Sequence, residues 1–171
     1  MTKSEDEILN WRKQMVLGSA KAVSPEEVER QWQAAVKYIE SGVPATLCTL
    51  HKDGRPQQSL VWVGVEDHTL VMAHTAEFLK VKNMRRDPRV SLSFCSGSKS
   101  SALGVHEYLV IEGTAQITTG GAVDLLNKLA PRFRDDELDM GFLQTESGGF
   151  VTRITPTRIR GVGPWQEDSQ E

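Results

Sequence analysis

The chain has 171 residues, 39% of them hydrophobic and 25% charged, with a formal net charge of −3. That length suits one domain with a core that needs no metal or disulfide. The charge balance gives no electrostatic basis for nucleic-acid binding.

The first residues, MTKSEDEILNW, carry acids where a signal peptide has a basic and then an apolar run. No apolar stretch approaches the length of a membrane span, so the expected location is the cytosol. Ser4 with Glu7, and Ser24 with Pro25 and Glu27, have capping-box spacing and predict two N-terminal helices. The first carries Ile8, Trp11 and Met15. The second places Val28, Trp32, Ala35, Val36 and Ile39 on one apolar face and stops at Gly42 before Pro44; it should pack on the rest of the fold or on a partner. Residues 1–42 are thus expected to form a helical arm, with a mobile link over Gly18–Val23.

From Ala45 the period changes to that of strands. Ala45–Leu50 ends at His51-Lys52-Asp53-Gly54, where Asp-Gly signals a hairpin. Gln57–Val65 and Thr69–His74 predict a second hairpin over Glu66-Asp67-His68. Thr75 can cap a helix carrying Lys80, Lys82, Arg85 and Arg86, stopped at Asp87-Pro88. A return strand spans Arg89–Phe94, and Ser96–Gly104 is a Ser/Gly-rich loop. Tyr108–Thr118 is a long strand with Gly113 inside it, a place for a bulge or close backbone approach. A helix over Ala122–Leu129 turns Leu125, Leu126 and Leu129 inward and ends before Pro131. Residues 132–147 have no clear pattern. Phe150–Ile154 and Arg158–Val162 read as closing strands, Gly163-Pro164-Trp165 ends the ordered chain, and 166–171 form an acidic tail. About six strands with few helices predict an antiparallel barrel over 43–165, helices outside.

Cys48 and Cys95 lie in separate strands without metal-ligand spacing, which predicts buried free thiols. There is no Ser/His/Asp order, paired-carboxylate spacing, HExxH, P-loop or dinucleotide glycine fingerprint, so hydrolase and ATPase chemistry lack their parts. His51, His68, His74 and His106 are scattered, and only His74 stands out, ending a strand just before the basic helix. At that helix start a phosphate would meet free N–H groups, the positive end of the dipole and the Lys80 ammonium together. Lys82, Arg85 and Arg86 lie on another face, where a solvated basic stripe is the ordinary reading. On composition alone Lys80 shares it.

Gly54-Arg55-Pro56-Gln57, then Leu70-Val71-Met72, then Lys80-Val81-Lys82-Asn83-Met84-Arg85-Arg86-Asp87-Pro88-Arg89-Val90-Ser91-Leu92 resemble the pyridoxamine 5'-phosphate oxidase-like, FMN-binding split-barrel superfamily. Within it the chain is most similar to the actinobacterial flavin- and deazaflavin-dependent oxidoreductases. The resemblance covers about residues 43–118. It implies a six-stranded antiparallel split β-barrel of Greek-key type (mainly β, α+β) with N-terminal helices, in a homodimer with the cofactor in a groove at the subunit interface. By position, Ser59, Leu60, Val61 and Trp62 would line the ring edge, partly through backbone groups. Ala73 and His74 would sit beside the ribityl chain or phosphate, and Leu79 and Lys80 would hold the phosphate. Tyr108 and Gln116 are further candidates on the long strand.

Two departures bear on function. The segment Arg158–Trp165 does not reproduce the Arg/Trp-rich C-terminal substrate segment of true pyridoxamine phosphate oxidases. Leu79 stands where those oxidases tend to carry a second phosphate-binding arginine. The resemblance therefore implies hydride transfer between FMN or the deazaflavin coenzyme F-420 and a small unsaturated or quinone-like substrate, with no side chain needed as a base. Two other readings stand beside it: a flavin- or haem-binding split barrel without turnover, with a histidine as axial ligand, and an interaction module whose Trp32 and Trp165 faces serve dimerisation.

Overall fold

A computed structural model describes residues 25–99, 104–134 and 139–165. The expected first helix, the Gly18–Val23 link and the acidic tail lie outside the described residues.

Seven strands form one sheet: β1 (Ala45–Leu50), β2 (Pro56–Val61), β3 (Gly64–Glu66), β4 (Thr69–His74), β5 (Arg89–Lys99), β6 (His106–Thr119) and β7 (Phe150–Val162). Their order is β2-β1-β5-β6-β7-β4-β3, and every pairing is antiparallel. β2 and β3 are the two ends of that order, yet only Trp62 and Val63 separate them in sequence. Two residues reach about 7 Å, so the sheet must curl until its edges are neighbours. The result is a split barrel whose ladder is not closed at the seam.

The strands depart from expectation in two places, one adding a strand and the other removing one. Gln57–Val65 is two strands, because the chain leaves β1 after Val61 and joins β4 at Gly64. The two closing strands are one, β7, which passes Gly113 through a register shift opposite Pro156. Gly113 is the close approach that its place in a strand implied, since a Cβ there would lie 2.6 Å from the Thr155 carbonyl oxygen. The β3–β4 hairpin turns on Asp67 and His68, both at positive φ, as a two-residue turn matched to strand twist requires.

Helix α1 (Pro25–Glu40) packs on the barrel itself: Trp32, Ala35 and Ile39 join Leu47, Leu70, Leu92, Phe94 and Ile111 in one core. Trp165 is 1% exposed, donates from Nε1 to the Tyr108 carbonyl and lies 4.7 Å from the Tyr38 ring. Trp32 and Trp165 are therefore core residues and present no dimerisation face. Helix α2 (Leu79–Arg86) does not start on a Thr75 cap. Its N-cap is Phe78, which makes no side-chain bond, while the Thr75 carbonyl accepts the Glu146 N–H. Helix α3 (Ala122–Leu129) has the expected bounds and buries Leu125 and Leu129 on Val71 and Val151, with Leu126 only half-buried. Beyond it the described chain makes short 3-10 turns at Ala130–Arg132, Met140–Phe142 and Glu146–Gly148.

The thiols also differ from expectation. Strand β5 continues past Phe94 to Lys99, which pairs with His106, so the Ser/Gly-rich stretch begins as strand and Cys95 faces solvent. Cys48 is half-buried. No helix among the described residues is long and apolar enough to cross a membrane.

Candidate cofactor site

The start of α2 has no side-chain cap and carries one cation that no carboxylate among the described residues neutralises. Phe78 offers no side-chain acceptor to the first turn, and its carbonyl takes the N–H groups of Val81 and Lys82. The N–H groups of Leu79 and Lys80 belong to the positions that have no partner within a helix. The four cations of α2 have separate fates. Arg85 pairs with Glu77 at 2.8 Å, Arg86 donates to the Leu50 carbonyl and to Asn83, and Lys82 is exposed. Lys80 is half-buried and meets no carboxylate within 4 Å among the described residues; its ammonium lies 5.5 Å from the Phe78 ring centroid. Burial holds its pKa below the usual lysine value.

His74 ends β4 with its side chain inside the barrel, 3% exposed, Nε2 at 3.0 Å from Thr152 Oγ1. Burial, and secondarily the Lys80 charge, bring its pKa down to about 4, so it is neutral at pH 7. Ala73 points to the opposite face, against the cluster under α3. Only one of this adjacent pair can therefore put its side chain on a given ligand.

Ser59, Leu60 and Val61 end β2, an end strand with no ladder on its far side, and Trp62 follows it. Leu60 is 70% exposed, whereas Val61 is buried and can offer only backbone to a ligand. Trp62 stacks on Phe133 with centroids 5.2 Å apart and planes 2° from parallel. Leu79 is 49% exposed, so the rim near Lys80 is apolar. Tyr108 and Gln116 are not brought together: eight residues apart on β6, they are separated by about 26 Å of strand. Tyr108 lies opposite Cys95 and Gln116 opposite Arg153.

The histidines do not converge, and no group of three His, Cys, Asp or Glu side chains among the described residues could hold a metal ion. The donor set suits a phosphorylated planar ring better: an unpaired ammonium at an uncapped helix start with exposed Leu79 next to it, and a bare strand edge at β2.

A region of about 300 Å³ lies elsewhere, between α3 and the β6–β7 ladder, where Glu66 bonds Lys128 at 2.7 Å and Arg153 at 3.5 Å. Both of those cations are paired with Glu66.

Comparison with known proteins agrees with this geometry. The family described as pyridoxamine 5'-phosphate oxidase matches residues 31–163. No curated protein sequence matches the chain. Among solved structures, one described as an F420 reductase superposes with a TM-score of 0.60 at 20% identity, covering 72% of this chain and 94% of its own. A FAD-binding protein from Mesorhizobium loti gives 0.53 at 17% identity, covering 74% and 88%. A heme-binding protein from Mycobacterium smegmatis gives 0.55 at 24% identity, covering 83% of this chain and 56% of that one. With a match spanning more than three quarters of its length and the split-barrel fold, the chain belongs to the pyridoxamine 5'-phosphate oxidase family.

Proposed function

We propose that the protein is an oxidoreductase that holds FMN or the deazaflavin coenzyme F-420 and transfers a hydride between that ring and a small unsaturated or quinone-like substrate. Lys80 carries the reading. A half-buried ammonium without a carboxylate, at a helix start without a side-chain cap, is a cost to the apo fold that a bound phosphate relieves. The bound ring supplies the hydride chemistry. The chain's share is to hold the phosphate with Lys80 and the first-turn N–H groups. The free edge of β2 orients the ring, and Leu79 keeps water from it. Apolar Leu79 offers no second cation to the phosphate, which favours the deazaflavin slightly over FMN.

The ring groove is completed by a second copy of the chain. The open sheet face of β2, β1 and β5 carries the uncharged Leu60, Thr46, Ser93, Gln58, Cys48 and Ser91, with Arg89 at its end. A symmetric pair buries this face and brings a partner strand towards the rim.

Side-by-side fluorescence titration with FMN and coenzyme F-420 tests the assignment. The parent is expected to bind at least one of them, and Lys80→Ala to bind it about tenfold to a hundredfold more weakly, the worth of a charge-assisted bond to phosphate. Equal binding by the two proteins removes the assignment. The likeness to a heme-binding protein supports a second reading. A Soret band in the purified protein would establish it, although His74, the histidine nearest the site, is already bonded to Thr152.

A further inference from the structure

A chain of side-chain hydrogen bonds runs from the end of α2 to the outer strand β2. Arg86 Nη2 donates to Asn83 Oδ1 at 3.0 Å, Asn83 Nδ2 to Thr49 Oγ1 at 3.1 Å, Thr49 Oγ1 to Gln57 Oε1 at 2.8 Å, and Gln57 Nε2 to Ser59 Oγ at 2.7 Å. Asn83 is fully buried, Thr49 is 1% exposed, and Gln57 and Ser59 are half-buried.

The polarity of the chain is fixed from both ends. Arginine has no acceptor, so the Asn83 oxygen must face Arg86 and its nitrogen must face Thr49. Thr49 then receives one bond, and its single proton goes to the Gln57 oxygen. That turns the Gln57 nitrogen towards Ser59, an orientation held independently by its second bond, 2.7 Å to the Gln58 carbonyl, which can only accept. Ser59 Oγ is left as an acceptor inside the chain, with its own proton still to place. Among the described residues no acceptor takes it.

Burial alone does not account for this. Asn83 and Thr49 need partners because they are buried, and Arg86 and each other would suffice. Gln57 and Ser59 both reach solvent and have no such need, yet the bonds continue to them, on the strand where the cofactor reading puts the ring edge. Asn83 also stands one helical turn after Lys80, so the phosphate end and the ring end share one side of α2.

We propose that this relay sets Ser59 as an oriented hydroxyl donor to an acceptor atom of the bound ring, a carbonyl oxygen or ring nitrogen. Gln57, Thr49 and Asn83 are the positioning residues behind it. The inference rests on the cofactor reading above.

The test measures dissociation constants and bound-ring absorption spectra with FMN and with coenzyme F-420. Ser59→Ala removes the donor. Gln57→Glu keeps the shape but is acceptor-only, so the Ser59 proton turns inward to the new carboxylate. Each single variant is expected to bind about fivefold to tenfold more weakly, as loss of one hydrogen bond does, with the same shift of the absorption maximum. The double variant should be no weaker than Ser59→Ala. Thr49→Val should act in the same direction and Thr49→Ser restore both readouts, with urea midpoints confirming that each protein is folded. Parental binding by Gln57→Glu, or additive losses in the double variant, overturns the relay and leaves the cofactor reading intact. A parent that binds neither cofactor overturns both.

Discussion

His74 Nε2 lies 3.0 Å from Thr152 Oγ1 across the β4–β7 ladder, an imidazole held neutral inside the barrel with its pKa down to about 4. Its unfolded pKa is about 6.5, so between pH 6.5 and 4 the unfolded chain binds the proton and the folded one does not. Stability from this group is fully present above pH 6.5, is lost as pH falls towards 4 and stays lost below. At pH 4.5 the loss is about 2–3 kcal/mol. Urea unfolding at pH 7 and pH 4.5 is expected to show it in the parent and to show a loss smaller by about that amount in His74→Asn. An unchanged acid slope in the variant would place the titration elsewhere.

Lys80 is likewise a cation whose charge the apo fold disfavours by burial. Lys80→Met is expected to leave apo stability unchanged or raise it by about 0–1 kcal/mol, because a partly buried, unpaired ammonium is exchanged for an apolar side chain of similar length. Thermal unfolding with FMN and with riboflavin, which lacks the phosphate, separates the two roles. FMN should stabilise the parent more than riboflavin does, and the difference should shrink in Lys80→Met to what the first-turn N–H groups supply.

The parts of this architecture that depend on local signals were legible in the sequence. Asp53-Gly54 sets its hairpin, α3 has the bounds its apolar period implies, and Asp87-Pro88 stops α2. What was not legible depends on partners distant in sequence. Nothing local distinguishes Gln57–Val65 as one strand from two, because the break comes from β2 joining β1 while β3 joins β4. Trp165 follows Gly163-Pro164, a local sign of disorder, yet it is buried by contacts with Tyr38 and Tyr108 far upstream. In the site, Lys80 was picked out by its place in a helix start. Asn83, Thr49 and Gln57 were missed as a unit because Thr49 and Asn83 are thirty-four positions apart, and only the fold brings them to 3.1 Å.

Gly113 tests the β6–β7 register. A Cβ there would come within 2.6 Å of both Ile154 Cγ2 and the Thr155 carbonyl oxygen, and the second contact is backbone held in the ladder. Gly113→Ala is therefore expected to destabilise by about 1–3 kcal/mol, as overpacking does. A shift in urea midpoint without a change in slope would show this, and an unchanged midpoint would mean the register shift there is wrong.

Leu79 offers a gain-of-function test of the phosphate site. It is 49% exposed and adjoins Lys80 at the first turn of α2, so an arginine can be accommodated without removing a core contact. The ammonium of Lys80 alone gives the phosphate one cation; a guanidinium beside it adds a forked donor suited to phosphate oxygens. Leu79→Arg is expected to tighten FMN about tenfold, with a smaller change for riboflavin, when the two are compared by fluorescence titration. The gain should disappear at high salt, because the new cation is partly exposed and screened. An arginine that leaves FMN affinity unchanged while Lys80→Ala weakens it would mean that the phosphate sits on the far side of Lys80 from Leu79. The apolar rim would then face the ring instead.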